Sequence, residues 1–175
     1  MTTFQREVRR QLAAGVVGEI AFDGPLRVQN GLPETGKSVE IGKFYTKNPT
    51  TGRYVLGGTI AETGASIFGG IACFPKEFAS FGNLADGPLG PTLTLPEGSP
   101  GSFLEMGMVW LYAPAETPVQ AGMKLVYDTT TGAIKPVAAN AVPGGTEAVI
   151  PNAVVYRVPN QAMTAGTVYA AKLTN

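Results

Sequence analysis

Glycine and proline punctuate this chain so densely, 23 and 14 of them in 175 residues, that long helices have little room to run. Between the interruptions lie short runs rich in β-branched and aromatic residues, which suit a pleated, half-buried surface. They fall at 39–46 "VEIGKFYT", 53–60 "RYVLGGTI", 66–74 "SIFGGIACF", 103–112 "FLEMGMVWLY", 123–128 "MKLVYD", 133–138 "AIKPVA", 153–158 "AVVYRV" and 167–173 "TVYAAKL". About nine or ten short strands with turns between them predict an all-β, single-domain antiparallel β-barrel or β-sandwich. The domain covers 1–175, with a β body over 26–175, and a chain of this length buries roughly 70% of its unfolded surface without outside help.

Two segments repeat a turn: "FYTKNPTTGRYV" at 44–55 and "LVYDTTTGAIKPV" at 125–137. In the first, Asn48-Pro49 opens a bend and Gly52 supplies a positive φ; in the second, Asp128 opens it and Gly132 takes the left-handed position. A phosphate-cradling loop needs more glycines and a helix start, so both segments read as structural turns of β-hairpins. In 103–112 the even positions Leu104, Met106, Met108, Trp110 and Tyr112 are apolar, and so are Phe103, Val109 and Leu111, which predicts a central strand. In 153–158, Val154, Tyr156 and Val158 share a face. The Gly69-Gly70 pair suggests a bulge or a close backbone approach, and "PKEFASFG" at 75–82 reads as one helical turn stopped by Gly82.

Histidine is absent and cysteine occurs once, so a Ser/His/Asp or Cys/His relay, a Cys/His zinc site and an internal disulfide are all out of reach. Cys73, between Ala72 and Phe74, reads as a buried structural thiol. Two-carboxylate chemistry survives this test, but Glu105, the acid with the most apolar neighbours, is expected on a solvent face. Asp128 and Asn140 lack the spaced acidic loop of a calcium site, so no metal or cofactor is expected. Thirteen basic and thirteen acidic residues cancel, and no long apolar run or secretory leader is seen; a soluble protein made inside a cell, with neither nucleic acid nor membrane as partner, is expected.

Three segments do not fit the strand pattern. In 1–25, Phe4, Val8 and Leu12 recur as on a short amphipathic helix, although an extended N-terminal arm fits equally, and Arg6, Arg9 and Arg10 against Glu7 make it basic. The long loop at 81–102 carries Leu84, Leu89, Leu93 and Leu95 among its glycines and prolines, more leucine than a solvated linker needs. The segment 139–152 sets Ala141, Val142, Ala148, Val149 and Ile150 around a Pro-Gly-Gly turn. All three are candidate surfaces for contact with another subunit.

The succession "VVGEIAFDGP", "VEIGKFYTKNPTTGRYV", "FGGIACFPKEFASFG", "EMGMVWLYAPAETPVQAGMKLVYDTTTGAIKPV" and "IPNAVVYRV" resembles the structural cement, or head decoration, proteins of tailed bacteriophages. That resemblance covers most of the chain, with "VQAGMKLVYDTTTGAI" its most specific part and 81–102 a segment with no counterpart in the family pattern. It implies a non-enzymatic, all-β virion protein made in the host cytoplasm. It also implies a place on the outer surface of the capsid, as a homo-oligomer (dimer or trimer) that clamps neighbouring copies of the major capsid protein. The alternative from another class is a carbohydrate-binding β-sandwich with Tyr45, Tyr54, Tyr112, Tyr127 or Trp110 stacking on sugar rings.

Overall fold

A computed structural model describes residues 15–22, 24–61, 66–74, 94–158 and 166–174, and among them every regular element is a strand. These are β1 (Arg27–Gly31), β2 (Val39–Glu40), β3 (Phe44–Lys47), β4 (Tyr54–Leu56), β5 (Ile67–Cys73), β6 (Thr94–Leu95), β7 (Gly101–Ala113), β8 (Lys124–Asp128), β9 (Ile134–Val137), β10 (Glu147–Arg157) and β11 (Thr167–Thr174). One nine-stranded sheet runs β4-β3-β5-β7-β11-β10-β8-β9, with β1 also on β7, and its ladders are all antiparallel. β2 and β6 form a separate two-stranded sheet.

The large sheet folds over on itself as a sandwich. Phe44 on β3 and Tyr127 on β8, far apart in strand order, meet with ring centroids 4.0 Å apart, and Ile71, Leu104, Leu111, Leu125, Val155 and Tyr169 fill the space between the halves. Among the described residues no ladder closes it into a barrel; the two ends touch through a turn, where the Phe44 N–H donates to the Gly132 carbonyl (2.9 Å) and Gly58 N–H to Thr129 (2.7 Å). The outer edge of β4 is occupied by Leu32, which accepts from Tyr54 N–H at 2.9 Å, and Glu34, which donates to the Tyr54 carbonyl at 3.0 Å. At the other end, β9 contains Pro136, which has no N–H to offer.

A second core lies on the far face of β3, β4, β5 and β7, where Val39 and Leu95 of the small sheet cover Tyr45, Tyr54, Ala72 and Phe103. Tyr54 stacks on Phe103 at 3.7 Å, and Tyr45 meets the same ring edge-on at 5.1 Å while its hydroxyl accepts from Glu40 N–H.

Several elements depart from the sequence-based expectation. The run 39–46 is two strands, because Gly42 at φ +79° turns the chain from the small sheet into the large one. The run 53–60 is strand only to Leu56, since Gly57 and Gly58 both have positive φ. The end of the 81–102 loop is ordered structure, β6 and the start of β7, and 139–152 gives up its last residues to β10. Residues 18–21, placed in the arm, pair with β7: Gly18 N–H donates to Trp110 (2.8 Å), Trp110 N–H to Glu19 (2.9 Å) and Ala21 N–H to Met108 (2.9 Å). The expected helical turn at 75–82 lies outside the described residues.

β7 holds the most informative difference. Its even positions do not share one face: Leu104 lies in the main core, but so do Val109, Leu111 and Ala113. Between them, Arg27 stands opposite Met106 and Val28 opposite Leu104, so β7 carries one extra residue, Glu105. That bulge changes the parity and turns Glu105 inward instead of to solvent; it is buried, and its carboxylate accepts from Arg27 Nε at 2.6 Å. A buried carboxylate is tolerable because it is paired.

Candidate partner-binding interface

The two Thr-Thr-Gly turns are built alike. Asn48 Oδ1 accepts from the N–H groups of Thr50 (2.9 Å) and Thr51 (3.2 Å), and Asp128 Oδ1 accepts from those of Thr130 (2.9 Å) and Thr131 (2.7 Å). Gly52 N–H and Gly132 N–H close the bends onto the Asn48 and Asp128 carbonyls, each at 2.8 Å, with φ of +69° and +63°. Their surroundings differ. A Cβ on Gly52 would meet nothing within 4 Å, whereas one on Gly132 would sit 2.6 Å from the Phe44 carbonyl oxygen and 2.8 Å from Leu56 Cδ1. The first turn is a free rim; the second is wedged against the opposite end of the sheet.

Asp128 also reaches the 138–146 loop. Its Oδ2 accepts from the Thr146 hydroxyl at 2.5 Å, and Thr129 donates to the Thr146 carbonyl through both its N–H and its hydroxyl, each at 2.8 Å. The Thr146 hydroxyl, then the Thr131 and Thr130 amides, hold the Asp128 carboxyl down at about 2. Ala141 N–H bonds to Ala138 and Glu147 N–H to Gly144, so the loop is internally braced, and Val142 stands 88% exposed at its tip.

A broader surface covers the outer side of β7, β11 and β10. Because Val109, Leu111, Val155, Ala171 and Leu173 point into the core, their neighbours point out. The registers place Lys124, Val154, Lys172 and Met108 in one row, Arg157, Ala170 and Trp110 in a second, and Val168 beside Tyr112 in a third. Phe22 lies between Trp110 and Tyr156, 6.0 Å from each ring, and the Arg157 guanidinium lies 5.9 Å from the Phe22 centroid. Val154 is 38% and Tyr156 50% exposed, so they face solvent while Ala153 and Val155 face the core; Val158, expected on the same face as Val154 and Tyr156, packs against the main core beyond the register shift between Val155 and Arg157. The ion pairs among the described residues are Arg27 with Glu105 and Lys135 with Glu147, which leaves Lys124 and Lys172 without carboxylate partners.

Of the contact residues expected from the sequence, Phe4, Arg6, Val8, Arg9, Arg10, Leu12, Leu84, Leu89 and Leu93 lie outside the described residues. Leu95 is packed into the second core and offers nothing to a partner. Among the aromatics weighed for sugar stacking, Tyr45, Tyr54 and Tyr127 are fully buried and Trp110 is 6% exposed, leaving Tyr112. The Cys73 thiol is buried, pushed up to about 11 by desolvation, and directed at the Ser102 carbonyl. Among the described residues no three His, Cys, Asp or Glu side chains come together as a metal site would require.

Sequence reading missed the cations of the outer face, because Lys124, Arg157 and Lys172 are far apart in the chain and only strand register brings them together. A family model described as "Structural cement protein (E217 gp24/Pam3 gp6)" matches residues 4–174. A solved structure described as the capsid of Myoviridae Phage XM1 contains a chain of similar fold, with a TM-score of 0.59 at 12% identity, covering 99% of this chain and 99% of that one. No curated protein matches the sequence.

Proposed function

The chain belongs to the structural cement protein family, a virion structural role, and from that premise we propose that it binds the outside of a bacteriophage head and cements neighbouring major capsid subunits. The observation that carries this reading is the extent of the family match, residues 4–174, which takes in the whole β body. In this reading the protein is non-enzymatic, made in the host cytoplasm, homo-oligomeric, and finally placed on the outer capsid surface.

The physical requirements of such a role are modest. A stiff body must hold several contact elements apart, so that each contact after the first forms at high effective concentration. The cross-sheet wedge at Gly132 and the braced 138–146 loop supply stiffness, and Val142 at that loop's tip is suited to a shallow apolar depression on a subunit. Phe4, Val8 and Leu12 with Arg6, Arg9 and Arg10, and Leu84, Leu89 and Leu93, are proposed as further contacts.

The test adds purified protein to expanded heads assembled without it and measures co-sedimentation and the temperature at which the heads break. Binding with a higher breaking temperature supports cementing. No binding at saturating protein would refute it, and unchanged binding after deletion of residues 1–14 would remove the N-terminal residues from the contacts.

A further inference from the structure

The outer face of β7, β11 and β10 combines three properties that a face built only for solvent does not need. It is apolar at its centre, with Val154, Tyr156 and Val168 around the covered Trp110. Its charged positions beside this centre are cationic, Lys124, Lys172 and Arg157, while the outward acid of β10, Glu147, stands at the first residue of that strand and is paired with Lys135. And the chain arrives on it, since Gly15 lies so close to the Trp110 indole that a Cβ there would overlap the ring. The fourteen residues that precede Gly15 in the sequence are also net basic. Glu19, the carboxylate nearest this point, is turned back to accept from Val16 N–H at 3.0 Å.

We propose that this face is the surface by which the chain seats on the capsid shell, and that its counterpart is an apolar patch of the major capsid protein rimmed by carboxylates. The inference rests on the cement reading above and adds which side faces the shell and what chemistry receives it. Charge decides between occupants. The chain's own basic N-terminal segment cannot neutralise Lys124 and Lys172, whereas a carboxylate-rimmed protein surface does so and covers Val154 and Tyr156 at the same time. Nucleic acid is the weaker candidate. The cations are few and alternate with aliphatic residues, unlike a basic groove that tracks a phosphate backbone.

The experiment measures binding to heads assembled from the major capsid protein alone, at two salt concentrations, for the wild type, the double variant Lys124→Glu/Lys172→Glu, each of its single variants, and the single charge-reversal control Lys37→Glu. Both lysines point outward and carry no ion pair, so the double variant should keep the wild-type melting profile, which is checked in parallel. The expected result is binding weakened by about 10-fold or more in the double variant, a flatter salt dependence, and an unchanged control. Wild-type binding by the folded double variant overturns the assignment of this face while leaving the cement reading standing. An equal loss in Lys37→Glu overturns it as well. Failure of the wild type to bind any head overturns the cement reading and this inference with it. Retention of duplex DNA by the wild type and not by the double variant reassigns the face to nucleic acid.

Discussion

Replacing Gly52 and Gly132 by alanine, one at a time, should separate two turns that the sequence writes almost identically. Both glycines have φ near +65°, where an L residue costs about 1–2 kcal/mol. At Gly52 nothing lies within 4 Å of the new methyl, so that backbone term is the whole cost. For a chain of this length it lowers the melting temperature by roughly 2–8 °C. At Gly132 the methyl would stand 2.6 Å from the Phe44 carbonyl oxygen, well inside normal contact, and that oxygen already accepts from Gly57 N–H at 2.9 Å. Relief requires the turn to lift off β3, straining the bond from Phe44 N–H to the Gly132 carbonyl. Overpacking of this kind adds about 1–3 kcal/mol, for a total of roughly 2–5 kcal/mol and a fall of roughly 4–20 °C. Thermal melts by circular dichroism read both values, and head binding is scored on whatever remains folded. Equal falls for the two variants, or a larger one at Gly52, would show that the second turn is not the wedge described. A Gly132 variant that melts like wild type yet no longer binds heads would make that turn a contact site.

Other consequences can be checked with the same assay. The Asp128 carboxyl is held at about 2 against an ordinary 3.8, so the stability it contributes is complete above about pH 4 and is lost as pH falls through about 2. Asp128→Asn keeps an acceptor for the Thr130 and Thr131 amides, as Asn48 does in the first turn, and should show a shallower fall in melting temperature between pH 4 and pH 2; parallel curves would refute the assignment. The Tyr169 hydroxyl is buried with no hydrogen-bond partner, and burial pushes its pKa up, so Tyr169→Phe should leave stability unchanged or raise it by about 1 kcal/mol, and a loss above that would mean the hydroxyl is bonded. Arg27→Met leaves the buried Glu105 carboxylate unpaired and should cost about 1–3 kcal/mol, less than a fully buried pair because Arg27 is half exposed; pairing it with Glu105→Met should recover most of the loss in chemical denaturation.

How far the sequence could be read depended on where local pattern and tertiary structure agree. The β8–β9 hairpin was legible because Asp128 and Gly132 do locally what any such turn does. β1 and β6 were not: "RVQNG" is too polar and "TL" too short to register as a periodic run, and each exists because β7 or β2 offers it an edge. The face switch within β7 was hidden because both parities of 103–112 are apolar, so only the partner register reveals that Glu105 is the extra residue. The same ambiguity concealed the outward stripe on β10, where Ala153 and Val155 are as credible for a core as Val154 and Tyr156. Leu95 misled in the other direction, since a leucine in a Gly/Pro-rich stretch looks unpartnered until the small sheet is seen to cover Tyr45 and Phe103.

The two ends of the large sheet have a bearing on crowding. A strand left open at an edge invites a neighbour to extend the sheet, and copies gathered on one surface meet often enough for that to matter. Here one end is already bonded to Leu32 and Glu34, and the other presents Pro136, which cannot donate, beside the charged Lys135. Copies brought side by side would therefore find neither end of the large sheet open to extend it into a continuous fibre.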